Sequence, residues 1–439
     1  MSKRNFILLI IVLGAVIIAV FGFLYFRKPT TPPEGDTGGT NFFSQFNPFG
    51  ASKPATPTIT PPINVSEPET VPEEETLGVK LRKVSSMPVA GFTVFIKERI
   101  INTPLIQEGQ IPLPKTSKIT PPKTEFIPAL RYVEKARGII YQTFADKIIE
   151  RKFSNTIIPK IYDAYFGNKG ENVIMRYLKG DDRTIETFIG NLPKESLGDI
   201  TNGDKEIKGS FLPENVQDIS VSPDTKKIFY LFDNGENMVG TVLNFIDNKK
   251  VQIFDSPFTE WLSIWQNEKI ITLSTKPSGN ASGYMYTVDG SGKNLNKILG
   301  NINGLTTLSG PDGKLILYGD NSLSLYLYHT DTRNSDVLGV RTLPEKCVWG
   351  KANDIIYCAV PKSIDFGLYP DAWYQGEVSF NDQIWKLDAK NRNATLILDP
   401  ATAPGGEEID GIKLAMDEGE NYLFFVNKKD SFLWELNLK

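Results

Sequence analysis

The chain has 439 residues, 48 basic against 52 acidic, with 40% hydrophobic residues, 29 prolines, two cysteines and one histidine. One imidazole, His329, and two cysteines cannot build a His-rich or Cys-rich metal site, and a formal charge of -4 lacks the concentrated basic surface that binding nucleic acid phosphates needs. The sequence thus implies no metal, no cofactor and no nucleic acid partner.

The first element is Phe6 to Phe26, 21 positions without a charge. At about 1.5 Å per residue such a helix is roughly 31 Å long, enough to cross a hydrocarbon core of about 30 Å. It ends in Leu24-Tyr25-Phe26-Arg27-Lys28 rather than in a small-x-small cleavage site, so it reads as an uncleaved anchor, residues 1–28, that ties the chain to a membrane. Lys3 and Arg4 before it nearly balance Arg27 and Lys28 after it. The very short leading segment favours a cytoplasmic N-terminus, a single-pass membrane protein and an extracytoplasmic location for the bulk of the chain.

Residues 27–76 carry ten of the 29 prolines together with Thr, Ser, Gly and the run Glu73-Glu74-Glu75. A stretch of this composition buries too little apolar surface to offset its ordering entropy, so residues 29–76 are expected to form a disordered tether. Phe42, Phe43, Phe46 and Phe49 interrupt it, as a short docking motif or as a nonspecific apolar spot.

From residue 77 to 439, short β-branched and aromatic runs alternate with Gly, Asn, Asp and Pro, the signature of an all-β domain. Two phrases recur. The first is a tight turn leading into an apolar strand: Val221-Ser222-Pro223-Asp224-Thr225-Lys226-Lys227-Ile228-Phe229-Tyr230, and Leu308-Ser309-Gly310-Pro311-Asp312-Gly313-Lys314-Leu315-Ile316-Leu317-Tyr318. Looser copies precede Val173, Ile355 and Tyr422. The second is an apolar residue followed by Tyr or Trp, at Tyr141, Tyr286, Tyr328, Trp385 and Trp434. A period of roughly 40 to 50 residues with four short strands per unit points to a β-propeller, and a pair of β-sandwiches is the alternative.

Ser222-Pro223-Asp224 before Lys226-Lys227-Ile228-Phe229-Tyr230, and Pro311-Asp312-Gly313-Lys314, resemble the blade signature of TolB-type, WD40-like propeller repeats of bacteria. The resemblance implies a propeller and a binding role, and names no substrate.

With the four strands of a blade lettered A to D outward from the axis, the first phrase falls at A to B and the second in C. Seven blades result, and the seventh stops at its third strand, Leu433 to Asn437. Leu81-Arg82-Lys83-Val84-Ser85 resembles the outer strand Glu150-Arg151-Lys152-Phe153-Ser154, so the N-terminal strand is predicted to complete the last blade and close the ring.

Three long insertions stand out: 97–127 between A and B of blade 1, 192–206 between C and D of blade 2, and 361–379 between B and C of blade 6. The last carries Phe366, Tyr369, Asp371, Trp373 and Tyr374. It is either a recognition loop, since aromatics dominate binding hot spots, or a cover folded back over its own blade. Cys347 and Cys358 flank a turn symmetrically and face each other across a hairpin, as a disulfide in an oxidising compartment or as two buried thiols.

No Gly-x-Ser-x-Gly elbow and no phosphate-binding loop occurs. His329 reads as a surface turn residue, and the adjacent pairs Asp181 and Asp182, or Glu407 and Glu408, as solvated turns. The expected function is a noncatalytic protein- or ligand-binding or scaffold module in the cell envelope, with an envelope protein or peptide as partner. The alternative is a carbohydrate- or peptide-cleaving enzyme using channel carboxylates.

Overall fold

A computed structural model of the chain describes residues 80–101, 122–198, 206–265 and 267–439. The expected anchor and tether lie outside these residues. Among the described residues no helix is long and apolar enough to cross a membrane.

The described residues form seven antiparallel sheets of four strands each. Strands A are Val89–Ile100, Ile161–Gly167, Val216–Val221, Trp261–Trp265, Thr306–Ser309, Cys347–Trp349 and Gly411–Met416, for blades 1 to 7. Those of blades 1 to 4 lie against one another in succession, as do those of blades 6, 7 and 1, so strand A lines the axis of a closed seven-bladed propeller.

The strands B show why the sequence folds this way. Those of blades 3 and 7 are buried on both faces and read as continuous apolar runs rather than alternating ones. In Ile228-Phe229-Tyr230-Leu231, Ile228 and Tyr230 pack toward blade 2, while Phe229 and Leu231 pack toward blade 4. Leu423 and Phe425 face blade 6, whereas Phe424 and Val426 face blade 1. The core is therefore divided among the junctions between blades, and no junction can be lost without exposing the faces of two sheets.

The turn phrase has a local cause as well. Asp224 and Asp312 each accept the backbone N–H two residues on, at 3.1 and 2.9 Å, and Thr225 and Gly313 take left-handed conformations at φ 58° and 77°. Asp417 accepts from the N–H groups of Asn421 and Tyr422, both at 2.7 Å, in the corresponding turn of blade 7.

Leu81–Lys83 pairs with Leu433–Asn437 as the fourth strand of blade 7, in the register Leu81 to Leu436, Arg82 to Glu435 and Lys83 to Trp434. Leu81 is buried in the core between blades 6 and 7, and Arg82 bonds to Glu435. Two segments more than 300 residues apart thus close the ring, and blade 7 gains the four strands that the other blades have.

The insertion in blade 1 is shorter than expected. Strand A continues to Ile100 and strand B begins at Thr124, because the two arms stay paired with Lys97 opposite Ile127 and Arg99 opposite Glu125. Residues 102–121 of this insertion and 199–205 of the one in blade 2 lie outside the described set.

Candidate functional site at the capped channel mouth

Strands A begin on the face that carries the B-to-C and D-to-A connections. On that face the segment between Pro361 and Asp382 of blade 6 reaches far beyond its own blade. It contains one short helix, α1 (Asp371–Tyr374). Tyr369, Trp373 and Phe380 form a small core with Leu323 and Leu343 of blade 5. Asp371 Oδ2 accepts from Gly279 N of blade 4 at 2.6 Å, and Trp373 Nε1 donates to Asp410, ahead of blade 7, at 2.9 Å. Lys428, between B and C of blade 7, donates to Trp373 O and stacks its ammonium 4.2 Å from the indole. The loop is a cap bolted to four blades. Gly279 permits the contact with blade 4, since a Cβ there would stand 2.5 Å from Tyr369 O.

The aromatic loop therefore separates into parts. Tyr369 and Trp373 are buried and hold the cap together. Asp371 ties it to blade 4. Phe366 is fully exposed on its outer side. Tyr374 alone points to the axis, where its hydroxyl donates to Glu345.

Beneath the cap the third residue of the inner strand recurs as a polar group: Asp163, Asp218, Ser263 and Lys413 in blades 2, 3, 4 and 7. In blades 2, 3 and 7 a bulge in the A-to-B pairing lies beside it. Bulges re-aim side chains, and they recur next to functional sites. Lys413 is itself held at φ 53°, an uncommon left-handed conformation for a non-glycine residue. It donates to Asp163 at 2.6 Å and to Ala90 O at 2.7 Å, bridging blades 7, 1 and 2. Arg176 holds the other Asp163 oxygen at 3.1 Å. Burial opposes the charged form of Asp163, but Lys413 and Arg176 outweigh it and hold the carboxyl below its ordinary range.

Asp218 makes no ion pair among the described residues, and Arg176 acts on it only from a distance. Its Oδ2 accepts from Ser263 N and Oγ, both at 2.6 Å, yet burial wins and pushes the carboxyl up. Glu345, in the linker before blade 6, behaves alike. Water reaches it, but the surrounding protein disfavours the charged form and raises it despite the Tyr374 hydrogen bond. The two carboxyl groups line one cavity of about 220 Å³ together with Ser263, Thr306, Thr307 and Tyr374, and no basic side chain lines it. Larger clefts of about 410 and 720 Å³ flank blade 1 on the opposite face. There Glu195 is held by Arg131, Arg151 and Lys97.

Among the described residues no group of three or more His, Cys, Asp or Glu is placed to hold a metal. His329 Nε2 lies 3.1 Å from Asp336 near the outer strand of blade 5, away from the channel. Cys347 and Cys358 are direct cross-strand partners, joined with Cα atoms 4.0 Å apart.

No family model and no curated protein sequence matches this chain. Among solved structures it is similar to an oligogalacturonate lyase from Vibrio parahaemolyticus, with a TM-score of 0.46 and 10% identity over 71% of this chain and 86% of that one. A second similar structure, an oligogalacturonate lyase in complex with manganese, gives 0.44 and 9% over 71% and 85%. At this level no residue role passes from those proteins to this chain.

Asp163, Asp218, Glu345 and Lys413 were not singled out by sequence reasoning. One signal was present: aligned inner strands, Ile161-Tyr162-Asp163, Val216-Gln217-Asp218, Trp261-Leu262-Ser263 and Gly411-Ile412-Lys413, share a polar third position.

Proposed function

We propose that the ring is a binding module that takes a cationic group, such as the side chain of a basic residue in a peptide or protein partner, into the capped channel mouth. One observation carries this reading: Asp218 and Glu345, contributed by different blades, line a single small cavity without a basic neighbour on its wall. Burial pushes both carboxyls up even though Arg176 acts on Asp218 and Lys346 and Lys428 act on Glu345, and no cation on the cavity wall pairs with either. An ammonium or guanidinium supplies that counterion, and the hydroxyls of Ser263, Thr307 and Tyr374 supply further polar contacts. Because binding favours the ionised carboxyls, affinity rises with pH through the range in which they titrate. Phe366, on the exposed side of the cap, adds an apolar anchor for the rest of the partner.

The test is calorimetric titration of the protein with a short arginine-containing peptide and its citrulline analogue. The reading expects the first to bind and the second not to. Equal binding of both, or binding unchanged in Asp218→Asn, refutes it.

A second reading, a hydrolase acting on carbohydrate or peptide, is favoured by the opposite displacement of neighbouring channel carboxyls. Asp163 is held low and Asp218 is pushed up, as a base and a proton donor require. Both Asp163 oxygens are occupied by Lys413 and Arg176, so this reading needs one of those bonds to open. Turnover of an oligosaccharide or peptide that disappears in Asp218→Asn would select it.

On either reading Phe6–Phe26 anchors the chain and the ring is extracytoplasmic, supported by the uncharged run and its short leader. Protease accessibility of the ring in cells with an intact inner membrane tests the orientation, and full protection would contradict it.

A further inference from the structure

Lys346 lies in the linker between blades 5 and 6, next to the cap, and its side chain is 0% exposed, as are those of Asp382 and Asp410. Its Nζ donates to Asp382 Oδ2 at 2.7 Å, to Asp410 Oδ1, and to Gly411 O at 3.1 Å. The rings of Trp373 and Phe380 stand 5.2 and 5.4 Å from Nζ. Two buried carboxylates share the one ammonium that bonds them, with Lys428 acting on Asp410 only from a distance, an arrangement that burial penalises.

The two carboxyls differ. Asp410 accepts from Trp373 Nε1 at 2.9 Å, Phe380 N at 3.0 Å and Ser379 Oγ at 3.2 Å. Burial works against its charge, but Lys346 and these donors outweigh burial and keep it below its ordinary range. Asp382 Oδ2 accepts from Gly411 N at 2.6 Å as well as from Lys346, whereas Asp382 Oδ1 is buried with no partner among the described residues. Burial pushes this carboxyl up, toward the protonated form. An amine nucleophile, a carboxyl with an orphaned oxygen and a second carboxylate are thus held together.

We propose that Lys346 and Asp382 condense to an intramolecular isopeptide bond, with Asp410 as the proton carrier. Asp410, which accepts from Nζ, carries one ammonium proton to Asp382 Oδ1, and the freed Nζ attacks Cγ to form the N–C bond. The negative charge that develops on Oδ2 is held by Gly411 N–H. Asp410 takes a second proton from Nζ and returns it to Oδ1, the Cγ–Oδ1 bond breaks, and water leaves. The ammonium and one carboxylate become a neutral amide, and Asp410 ends as the carboxylate it began. Fixed proximity replaces the activation that this condensation requires in solution. The product removes a buried ion pair and expels the one oxygen that had no partner. The bond also clamps the ends of the 347–381 segment, and with them the cap.

The test is mass spectrometry of the purified full-length chain. We expect an intact mass lower than the sequence mass by one water, beyond the hydrogens lost to the disulfide, and trypsin unable to cut after Lys346. The peptide containing Lys346 is then joined to the one containing Asp382. Lys346→Arg restores separate peptides, and Asp410→Asn leaves a fraction of chains unlinked. A wild-type chain at full sequence mass, cut by trypsin after Lys346, overturns the proposal, and a linkage to Asp410 overturns the assignment of acceptor and proton carrier.

Discussion

Glu435 sits in the third strand of blade 7, opposite Arg82 of the closing strand. The two bonds that Arg82 gives Glu435, from Nε at 2.9 Å and Nη2 at 2.7 Å, both go to Oε1, and Oε2 is buried without a partner among the described residues. Burial pushes this carboxyl up from 4.5 to about 7, with Arg82 opposing. Between those values the folded ring keeps a proton that the unfolded chain has released, so stability contributed by Glu435 is present below pH 4.5 and is lost as pH rises through 7. The displacement corresponds to about 3 kcal/mol. For a ring of about 360 residues, whose unfolding entropy is about 0.75 kcal/mol per degree, this is a change in Tm of about 4 °C. Thermal melts of wild type and Glu435→Gln across pH 4.5 to 7.5 isolate the contribution, because every other titrating group is common to both proteins. The wild type should lose about 4 °C more than the variant over that range. Parallel Tm curves would refute the reasoning.

Three further outcomes are expected. Leu81→Ala removes a side chain that is 1% exposed in the core between blades 6 and 7, and should cost about 2 to 5 kcal/mol in urea unfolding; a loss below about 0.5 kcal/mol would mean that the closing strand does not carry the ring. Gly279→Val drives side-chain atoms into Tyr369 O and Leu368 and should dislodge the cap, seen as a red shift of Trp373 fluorescence and tryptic cutting at Lys362. An unchanged emission spectrum would contradict that packing. Replacing Cys347 and Cys358 by Ser opens a link of sequence separation 11 and should cost about 3 kcal/mol, measured as a fall in the urea midpoint that reductant reproduces in the wild type; no change in either case would mean that the link adds nothing to stability.

The ring was legible because its signals are local or repeated. Doubly buried strands B spell continuous apolar runs, as in Ile228 to Leu231, and turns such as Ser222 to Lys227 supply their own capping oxygen. Closure by Leu81–Lys83 was legible because one blade lacked a strand and a matching segment stood at the other end. The site was not legible in the same way. Asp163 and Lys413 meet across 250 positions, and Lys346 meets Asp410 across 64, so no window of sequence contains both partners. The bulges that aim Asp163, Asp218 and Lys413 leave no compositional mark. The cap divided along the same line: its aromatic content was visible, but which rings it buries depends on Leu323, Leu343 and Asp410 from other blades.

The central claim is that the capped channel mouth recognises a cationic group through Asp218 and Glu345. Calorimetry of the arginine peptide against wild type, Asp218→Asn and Glu345→Gln, repeated at two pH values in buffers of different ionisation enthalpy, tests it most directly. The expected result is binding by the wild type that strengthens as pH rises through the range where the carboxyls titrate, weakened at least tenfold in each variant. Equal affinity in all three proteins would contradict it.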